Sequence, residues 1–243
     1  MLNRLVNSFY RAPLPSRFIA THKLLYEPCS NLYLVCCEFN QNYFDVNLFK
    51  KHSITLPNCF RNYPVKRQSE YLAGRYAAKL ALSVIDGGIW SEQVKIGNRK
   101  EPVFPDNIKG TLAHSHNIAV CAVAPSKTTR FVGVDIEPIM GAKDIEGLEG
   151  QIYSLSELNI LDNIGIDKEI SVTIIFSAKE SIYKALSVVL NGGINFKSFE
   201  LKAAEKKGQS VRLLFNVHNG SFVRTIKVSA KIYKNHILTL VIN

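Results

Sequence analysis

The chain has 243 residues, of which 47% are hydrophobic and 21% are charged. This length and composition predict a soluble globular protein of one large domain or two halves, and no low-complexity tract occurs. No apolar run reaches the roughly eighteen residues that a transmembrane helix needs, so we expect no membrane span. The formal charge of +10 calls for a polyanionic partner, which leaves nucleic acid, an anionic membrane, a phosphate-rich cofactor and an acidic protein as candidates.

The cysteines lack the spacing of a metal site or of a disulfide framework. They are odd in number and form no Cys-x-x-Cys pair. They are Cys29, Cys36, Cys37, Cys59 and Cys121. We therefore expect a reducing, cytoplasmic compartment. Residues 1–26 carry basic residues and no acidic one, which leaves organelle import as an alternative, although the apolar core and cleavage site of a secretory signal are missing.

The first half of the chain predicts a strand at 32–39 and then a long helix. Residues 64–82 place Leu72, Tyr76 and Leu80 at helical intervals, and the turn residues at 86–88 end the helix. Gly74 is unusual inside a helix, because glycine costs about 1 kcal/mol there relative to alanine. We therefore expect a ligand or another backbone to approach the helix at this residue.

One side of this helix carries cations. Arg67, Tyr71 and Arg75 recur every four residues, and Lys66 is adjacent, so their side chains follow one edge of the helix. Such an edge suits a phosphate group, because charge-assisted hydrogen bonds to phosphate are strong. An ordinary solvated basic face is the alternative on this pattern alone.

A loop at 98–105, the segment 110–116 and a clear strand candidate at 118–124 come next. His114 and His116 are spaced for one face of a strand. No third nitrogen or sulfur ligand accompanies them, so a zinc site is not favoured. A hydrogen-bonded turn histidine and a donor to a cofactor phosphate are the two interpretations that stay open.

The second half opens with an acidic strand. Residues 131–136 are β-branched and aromatic with an alternation of two, and Pro138 ends the strand. Asp135 and Glu137 therefore lie on the same side, where they repel each other and need a cation to stay ionised. Magnesium prefers oxygen ligands and would meet that need. An exposed strand end is the alternative for this pair alone.

A second long helix supplies another acid. Residues 171–190 contain neither proline nor glycine and repeat apolar side chains every three or four residues, which predicts an amphipathic helix. Glu180 and Lys184 lie one turn apart on one face. A solvated ion pair is the simple interpretation. With the acidic strand upstream, Glu180 becomes a third magnesium ligand and Lys184 a phosphate partner or proton carrier.

The remaining pattern repeats the order of the first half. Ser154-Leu155-Ser156-Glu157 resembles a capping box that opens a short helix. Strand candidates follow at 197–203, 211–217, 223–233 and 237–242. This order predicts an α+β protein of two similar halves, 1–130 and 131–243, each with a long helix packed on a small, mostly antiparallel sheet.

Four motifs resemble, in order and at similar spacing, those of the 4′-phosphopantetheinyl transferases, and are most similar to the enterobactin-synthase-component-D type within the surfactin-synthetase-activator class. The resemblance runs from about residue 63 to residue 190, and the last two motifs are the specific ones. The motifs are Lys66-Arg67-x-x-Glu70-Tyr71-Leu72-Ala73-Gly74-Arg75, Gly110-Thr111-Leu112-Ala113-His114-Ser115, Gly133-Val134-Asp135-Ile136-Glu137 and Phe176-Ser177-Ala178-Lys179-Glu180-Ser181-Ile182-Tyr183-Lys184.

The resemblance implies a reaction and a site. Members transfer the 4′-phosphopantetheine arm of coenzyme A to a serine of an apo carrier protein and release adenosine 3′,5′-bisphosphate. They are pseudo-dimeric, with the active site between the halves, and we expect a monomer. By position, magnesium would be held by Asp135, Glu137 and Glu180. Glu180, directly or through a water, would take the serine proton, while Lys184 stabilises charge. The phosphates, above all the 3′-phosphate, would be gripped by Lys66, Arg67, Arg75 and His114.

The chain departs from the family pattern at two positions. Ala113 stands where the family usually has a serine or threonine before the histidine, so one hydroxyl that could hold a cofactor phosphate is missing. Glu101 stands where the family's loop often has a basic residue before the proline. Both departures affect the expected contacts to the cofactor.

Two other classes of function also combine acidic residues with a basic surface or bind nucleotides. A magnesium-dependent nuclease joins acids to a basic surface, but its Glu-x-Lys signature is absent because Glu137 is followed by Pro138-Ile139. A non-catalytic module that binds nucleotide or nucleic acid leaves the three carboxylates unexplained. We therefore expect no nucleic-acid partner.

The carrier protein, expected to be acidic, would meet this basic chain quickly and would also need an apolar contact. Segment 152–175 supplies candidates, and ordinary core residues are the alternative interpretation. The candidates are Leu155, Leu158, Ile160, Leu161 and Ile164. The pattern leaves open whether the carrier serves a siderophore, polyketide or fatty acid pathway.

Overall fold

The computed structural model describes residues 1–7, 16–85, 92–98, 100–187, 194–220 and 222–243. The predicted helix end at 86–88 and the predicted end of the second long helix at 188–190 lie outside these residues. The chain divides into two compact units, one of Arg4–Thr129 and one of Arg130–Asn243 with Met1–Asn3. Each unit is a long helix on an antiparallel sheet, which confirms the predicted α+β class.

The described residues of the N-terminal unit form a five-stranded sheet and two α-helices. Its strands and helices are β1 (Val6–Asn7), β2 (Ile19–Glu27), β3 (Leu32–Phe39), α1 (Asn47–Lys51), α2 (Val65–Ile85), β4 (Lys95–Ile96), β5 (Pro102–Val103), β6 (Ile108–Ser115) and β7 (Ile118–Pro125). The sheet order is β1-β2-β3-β7-β6, and β4 pairs with β5 in a separate ribbon. Short 3₁₀ turns lie at Gln41–Tyr43 and Asn58–Phe60, and a further one, Leu2–Arg4, begins in the segment Met1–Asn3 that is grouped with the other unit.

The C-terminal unit repeats this plan. Its elements are β8 (Val132–Pro138), α3 (Leu155–Asp162), α4 (Lys168–Leu186), a 3₁₀ turn (Phe196–Ser198), β9 (Phe199–Lys207), β10 (Ser210–Asn219), β11 (Phe222–Tyr233) and β12 (His236–Ile242). The sheet order is β8-β12-β11-β10-β9, with all neighbours antiparallel. The strand expected at 197–203 begins later, because residues 196–198 form the 3₁₀ turn capped by Asn195.

The two long helices follow the predicted apolar stripes. In α2, Leu72, Ala73 and Tyr76 are buried against the sheet, and in α4 Ile175 and Ile182 are buried in the same way. Burial of each large side chain stabilises a unit by about 1.5–3 kcal/mol. Helix packing of this kind fixes which strand residues each helix faces.

Strand β2 was not predicted. It overlaps the segment 1–26 for which organelle import was the alternative, and it lies between β1 and β3 in the sheet. Phe18 and Ile19 are buried in the core of the N-terminal unit. Removal of residues 1–26 would therefore take an internal strand out of this unit. Within the described residues, no helix is both long and apolar enough to cross a membrane.

Candidate active site

The acidic strand β8 faces helix α4, as the alternation of its residues predicts. Asp135 is 2% exposed. Its Oδ1 accepts a hydrogen bond from Lys184 Nζ at 2.6 Å, and its Oδ2 accepts one from Ser177 Oγ at 2.8 Å. Thr239 on the neighbouring strand β12 donates its hydroxyl to the backbone oxygen of Ser177 at 2.8 Å. Asp135 is thereby held from the helix side, and Ser177 is held in turn by the sheet.

Gly133 allows the helix to come this close. A Cβ added at this residue would lie 2.0 Å from the backbone oxygen of Ser181, far inside van der Waals contact. Gly133 and Asp135 lie on the same side of β8. The glycine of the third motif therefore sets the separation of strand and helix that lets Lys184 reach Asp135.

The other two predicted metal ligands lie in the same electrostatic environment. Burial raises the pKa of Glu137 to about 7, and the charges of Asp135 and Glu180 add to the rise while Lys184 opposes it. Burial also raises the pKa of Glu180, with Lys184 lowering it and Asp135 raising it. Three carboxylates therefore share the compensating charge of Lys184, which leaves negative charge without a full counter-ion.

These three carboxylates are suitable ligands for a hard divalent cation, but their side chains are not arranged in a coordination geometry. Carboxylate oxygens that repel one another in a partly buried place are the ligands that magnesium prefers. Among the described residues, no group of three or more histidine, cysteine, aspartate or glutamate side chains is arranged to hold a metal ion. Lys184 holds Asp135 Oδ1, so Asp135 would have to share or release this lysine to bind metal.

The simple interpretation of Glu180 and Lys184 as a solvated pair is wrong. Within the part of the chain that the structure describes, the salt bridge of Lys184 is with Asp135. That bridge joins a helix to a strand, and the Asp135 side chain is 3% exposed. Removing the lysine from such a pair leaves a buried carboxylate without a counter-ion, which costs more than breaking an exposed helical pair.

The N-terminal unit has a cavity of about 280 Å³ that collects most of the predicted phosphate-binding residues. Its lining comprises Phe60, Tyr63, Arg67, Glu70, Tyr71, Gly74, Arg75, Ile96, Lys100, Pro102, Leu112, Ala113 and His114. Lys66 is not part of this lining, and it is exposed. Aromatic walls with several convergent cations are typical of a site for a nucleotide with phosphate groups.

Arg75 is held in place inside this cavity. Its guanidinium lies 4.7 Å from the centre of the Tyr71 ring, and its Nε donates to the Tyr71 hydroxyl at 3.3 Å. Its Nη2 donates to the backbone oxygen of Lys95 at 3.4 Å. The ring and these acceptors limit the rotamers of a long side chain, so less entropy is lost when Arg75 binds an anion.

Arg67, His114 and Glu70 meet in the same cavity. Arg67 Nη1 lies 2.9 Å from His114 Nε2 and 3.2 Å from Glu70 Oε2. His114 Nδ1 lies 3.9 Å from Glu70 Oε2. Glu70 belongs to the first motif, but the sequence pattern indicates no role for it. Its proximity to His114 is not visible in the sequence because the two residues belong to different elements.

His114 and His116 lie in different surroundings in the structure. His114 is on β6 and lines the cavity, which favours the interpretation as a donor to a phosphate. His116 has a positive φ of 49° in the turn that joins β6 to β7, and its Nδ1 lies 3.4 Å from Ser115 Oγ. The plain turn histidine is therefore His116.

The structure also clarifies Gly74 and the two departures. A Cβ added at Gly74 meets none of the described neighbouring atoms within 4 Å, so within the described residues no other backbone approaches the helix there. The open space belongs to the cavity, which Gly74 lines. Ala113 lines that cavity, which places the missing hydroxyl at its surface. Glu101 folds over Gly97, and Lys100, with a φ of 65°, lines the cavity. Lys100 therefore supplies a basic side chain to the cavity, although the position before the proline, which is often basic in the family, is occupied by Glu101.

A second buried ion pair anchors helix α3 to α4. Lys179 Nζ lies 2.9 Å from Glu157 Oε1, and both side chains are 4% exposed. Glu157 also closes the predicted capping box with Ser154, which is confirmed, and accepts a hydrogen bond from Leu201 N at 2.9 Å. The sequence predicted the cap but not its connection to the residue next to Glu180.

The candidate docking residues differ in exposure. Leu161 is fully buried and belongs to the core, so it is not available to a partner. Leu158, Ile160 and Ile164 are partly buried and pack against that core. Leu155 is 57% exposed at the start of α3, which makes it the candidate that a partner can reach.

Comparison with known proteins gives two adjacent family matches. The 4′-phosphopantetheinyl transferase superfamily matches residues 131–241, and the 4′-phosphopantetheinyl transferase N-terminal domain matches residues 58–124. The matched regions contain the acidic strand with helix α4 and the cavity with helix α2, respectively.

Curated relatives extend over most of the chain. Enterobactin synthase component D of Salmonella typhi is 32% identical over 203 residues, which cover 82% of each chain. The protein of the same name from Salmonella typhimurium is 30% identical over 203 residues, again 82% of each chain. The 4′-phosphopantetheinyl transferase PptT of Mycobacterium tuberculosis is 26% identical over 132 residues, which cover 49% of this chain and 51% of that protein.

Proposed function

We propose that this protein modifies a serine of an apo carrier protein in a magnesium-dependent reaction. The proposal starts from the family: the chain belongs to the 4′-phosphopantetheinyl transferase superfamily and is a transferase of that kind. The co-substrate is coenzyme A, and the second product is adenosine 3′,5′-bisphosphate. The observation that carries this proposal is the group of three carboxylates beside Lys184, whose charges are not fully compensated. The family predicted from the four motifs is confirmed.

The cavity of the N-terminal unit is assigned to the nucleotide end of coenzyme A. Arg67, Arg75, Lys100 and His114 line it and can donate to the 3′-phosphate. Phe60, Tyr63 and Tyr71 offer aromatic surface for the adenine. Lys66 is exposed near the start of α2 and does not line the cavity. We assign to it only a long-range electrostatic attraction of the anionic cofactor.

Magnesium would be held by Asp135, Glu137 and Glu180, and when bound it would neutralise charge on the pyrophosphate of coenzyme A. The raised pKa values of Glu137 and Glu180 support this assignment, since a cation would relieve the repulsion that contributes to them. Lys184 would then be available to the phosphate oxygens, because a metal at Asp135 would supply the positive charge that the lysine provides in the metal-free protein.

The protein's own groups complete the reaction. The serine oxygen of the carrier forms a bond to the phosphorus that bears pantetheine, and the bond from that phosphorus to the bridging oxygen breaks, so adenosine 3′,5′-bisphosphate departs. The serine proton passes to Glu180, directly or through a water. Lys184 stabilises the charge on the transferred phosphoryl group.

The relatives suggest where to begin the search for the carrier. Two of them are named as enterobactin synthase components, so a carrier domain of a siderophore synthase is the first substrate to test. Polyketide and fatty acid carriers are the comparisons. The expectations of a monomer, a cytoplasmic location and no nucleic-acid partner remain predictions.

The test is a mass measurement. The protein is incubated with coenzyme A, magnesium and an apo carrier domain, and the carrier is weighed. We expect a gain of one phosphopantetheine, and no gain with a carrier whose target serine is alanine. Asp135→Ala, Glu137→Ala and Glu180→Ala should each lower turnover by orders of magnitude while circular dichroism shows a folded protein. Near-normal turnover of one variant at limiting magnesium would remove that residue from the site.

A further inference from the structure

The cavity assigned to the nucleotide contains an acid, which is unexpected in a site for an anion. Glu70 lines the cavity and is 7% exposed. A buried carboxylate beside a phosphate site repels the ligand unless it serves another group. The groups close to it are Arg67 and His114, so the question is what Glu70 does for these two residues.

The contacts define the protonation state of His114 in the absence of ligand. Arg67 is always a donor, and its Nη1 lies 2.9 Å from His114 Nε2, so this nitrogen acts as an acceptor. The ring proton then lies on Nδ1, which is the nitrogen nearer to Glu70 Oε2 at 3.9 Å. In this state His114 is neutral, and it presents no donor to a phosphate from Nε2.

We propose that Glu70 is a positioning residue that makes His114 a proton-linked sensor of the 3′-phosphate. When the phosphate binds, Arg67 turns from His114 Nε2 to the phosphate oxygens, one proton from solvent adds to Nε2, and the imidazolium donates to the phosphate. Glu70 stabilises that imidazolium through the hydrogen on Nδ1. No covalent bond breaks, and the net change is the uptake of one proton by the protein. This inference rests on the proposed function, since it assumes that the cavity takes coenzyme A.

The charges around His114 support its protonation when the phosphate binds. Helix α2 contributes Arg67, Glu70 and Arg75, and the segment between β4 and β5 contributes Lys100. With the ligand absent, these cations disfavour a further positive charge on His114. A phosphate at pH 7.5 carries close to two negative charges, so its arrival reverses the local field and favours the imidazolium. Glu70 is the acidic side chain of the cavity lining that can support the charged ring from the opposite side.

The proposal predicts a difference between two cofactors. Coenzyme A and 3′-dephospho-coenzyme A share the pyrophosphate and differ in the group that His114 would meet. Binding is measured by titration calorimetry at pH 7.5 in buffers of different ionisation enthalpy, without magnesium so that metal-linked protons do not contribute. We expect proton uptake approaching one per coenzyme A and close to none for the dephospho form.

Variants separate the role of Glu70 from a merely structural one. Glu70→Gln should lower coenzyme A affinity about tenfold at pH 7.5, leave dephospho-coenzyme A affinity unchanged and move the proton uptake to lower pH. His114→Gln should abolish the uptake and needs no change at the buried acid, so it keeps the test valid if Glu70→Gln does not fold. Glu92→Gln is the matched control, because Glu92 is exposed and lines a neighbouring cavity.

The outcomes distinguish this inference from the function on which it rests. Discrimination between the two cofactors with equal proton uptake for both would overturn the role of His114 and Glu70 and would leave the transferase proposal intact. An unchanged pH profile in Glu70→Gln would overturn the role of Glu70 alone. Absence of coenzyme A binding, together with no modification of any carrier, would overturn the proposed function instead.

Discussion

Lys184 on helix α4 donates to Asp135 on strand β8 at 2.6 Å, and this contact joins the third and fourth sequence motifs. The lysine side chain is 29% exposed and the aspartate side chain is 3% exposed, so the cation enters the interface from its solvent side. The pair gives the buried carboxylate a counter-ion in the metal-free protein. Lys184 also competes with the proposed metal, because both cations would bind the carboxylate oxygen atoms of Asp135.

Lys184→Ala should destabilise the metal-free protein, because it leaves Asp135 buried without a cation. We expect a loss of about 2 kcal/mol in the free energy of unfolding, a value reduced by the partial exposure of the lysine. Magnesium should restore part of that loss, and turnover should stay low. Chemical denaturation with and without magnesium measures both effects.

The control for this variant is Lys202→Ala, which breaks an exposed ion pair with Glu200 at 2.7 Å. It should change the free energy of unfolding by less than about 0.5 kcal/mol. Equal effects of the two substitutions would contradict the view that the Lys184 pair compensates a buried charge.

The pH dependence of the metal-free protein should show the raised pKa of Glu137, which is about 7 and is caused first by burial. A carboxyl whose folded pKa is raised binds more protons in the folded state, so its stabilising contribution is present below the ordinary pKa and is lost as pH rises through 7. Magnesium affinity should rise over the same interval, because the metal binds the ionised carboxylate.

Glu137→Gln is the variant that checks this dependence. Melting temperatures from pH 5.5 to 8.5 should vary less in this variant than in the wild type, and added magnesium should no longer raise them. Wild-type and variant curves of the same shape would show that Glu137 does not titrate in this interval.

Gly74→Ala should separate stability from cofactor binding. An added Cβ meets none of the neighbouring atoms that the structure describes within 4 Å, and alanine favours a helix, so we expect a gain of about 0.5–1 kcal/mol in the free energy of unfolding. The methyl group enters the cavity that is assigned to coenzyme A, so affinity for the cofactor should fall about tenfold or more. Thermal denaturation and calorimetry measure the two changes on one sample.

Gly133→Ala is the matched variant with the opposite expectation for stability. Its Cβ would lie 2.0 Å from the backbone oxygen of Ser181, so helix α4 must move away at a cost of about 3 kcal/mol or more. Gly74→Ala with unchanged cofactor affinity would mean that the cofactor lies elsewhere.

Leu155→Glu should impair use of the carrier protein while coenzyme A binding persists. Leu155 is 57% exposed at the start of α3, so the substitution should change the free energy of unfolding by no more than about 0.5 kcal/mol. We expect the KM for the carrier to rise about tenfold, as for an apolar residue near the centre of an interface. Raising salt from about 50 to 500 mM should slow the wild-type reaction mainly through the association rate.

Val223→Glu provides the comparison, since Val223 is 49% exposed on strand β11 of the same unit. If both substitutions raise the KM equally, the effect belongs to added negative charge rather than to the surface of α3. If Leu155→Glu leaves carrier use unchanged at low carrier concentration, the docking surface lies elsewhere.

Much of the fold was accessible from the sequence because it depends on local periodicity. The apolar intervals of α2 and α4 predict amphipathic helices whatever they pack against, and the alternation in β8 places Asp135 and Glu137 on one side. Strand β2 was missed. Its exposed and buried residues do not alternate regularly, and a register shift occurs near Ile19, so the period of two that would have identified it is weakened.

The sequence by itself determined the family, the class of fold and the residues that carry charge at each site. The tertiary structure decided which of those charges meet. Lys184 pairs with Asp135 rather than with its helical neighbour Glu180, and Glu70 reaches His114, because helix and strand packing brings together residues that are far apart along the chain. Spacing along one element fixes only which side a residue faces. Which residue it contacts on that side depends on the element that packs there, and the local sequence pattern does not contain this information.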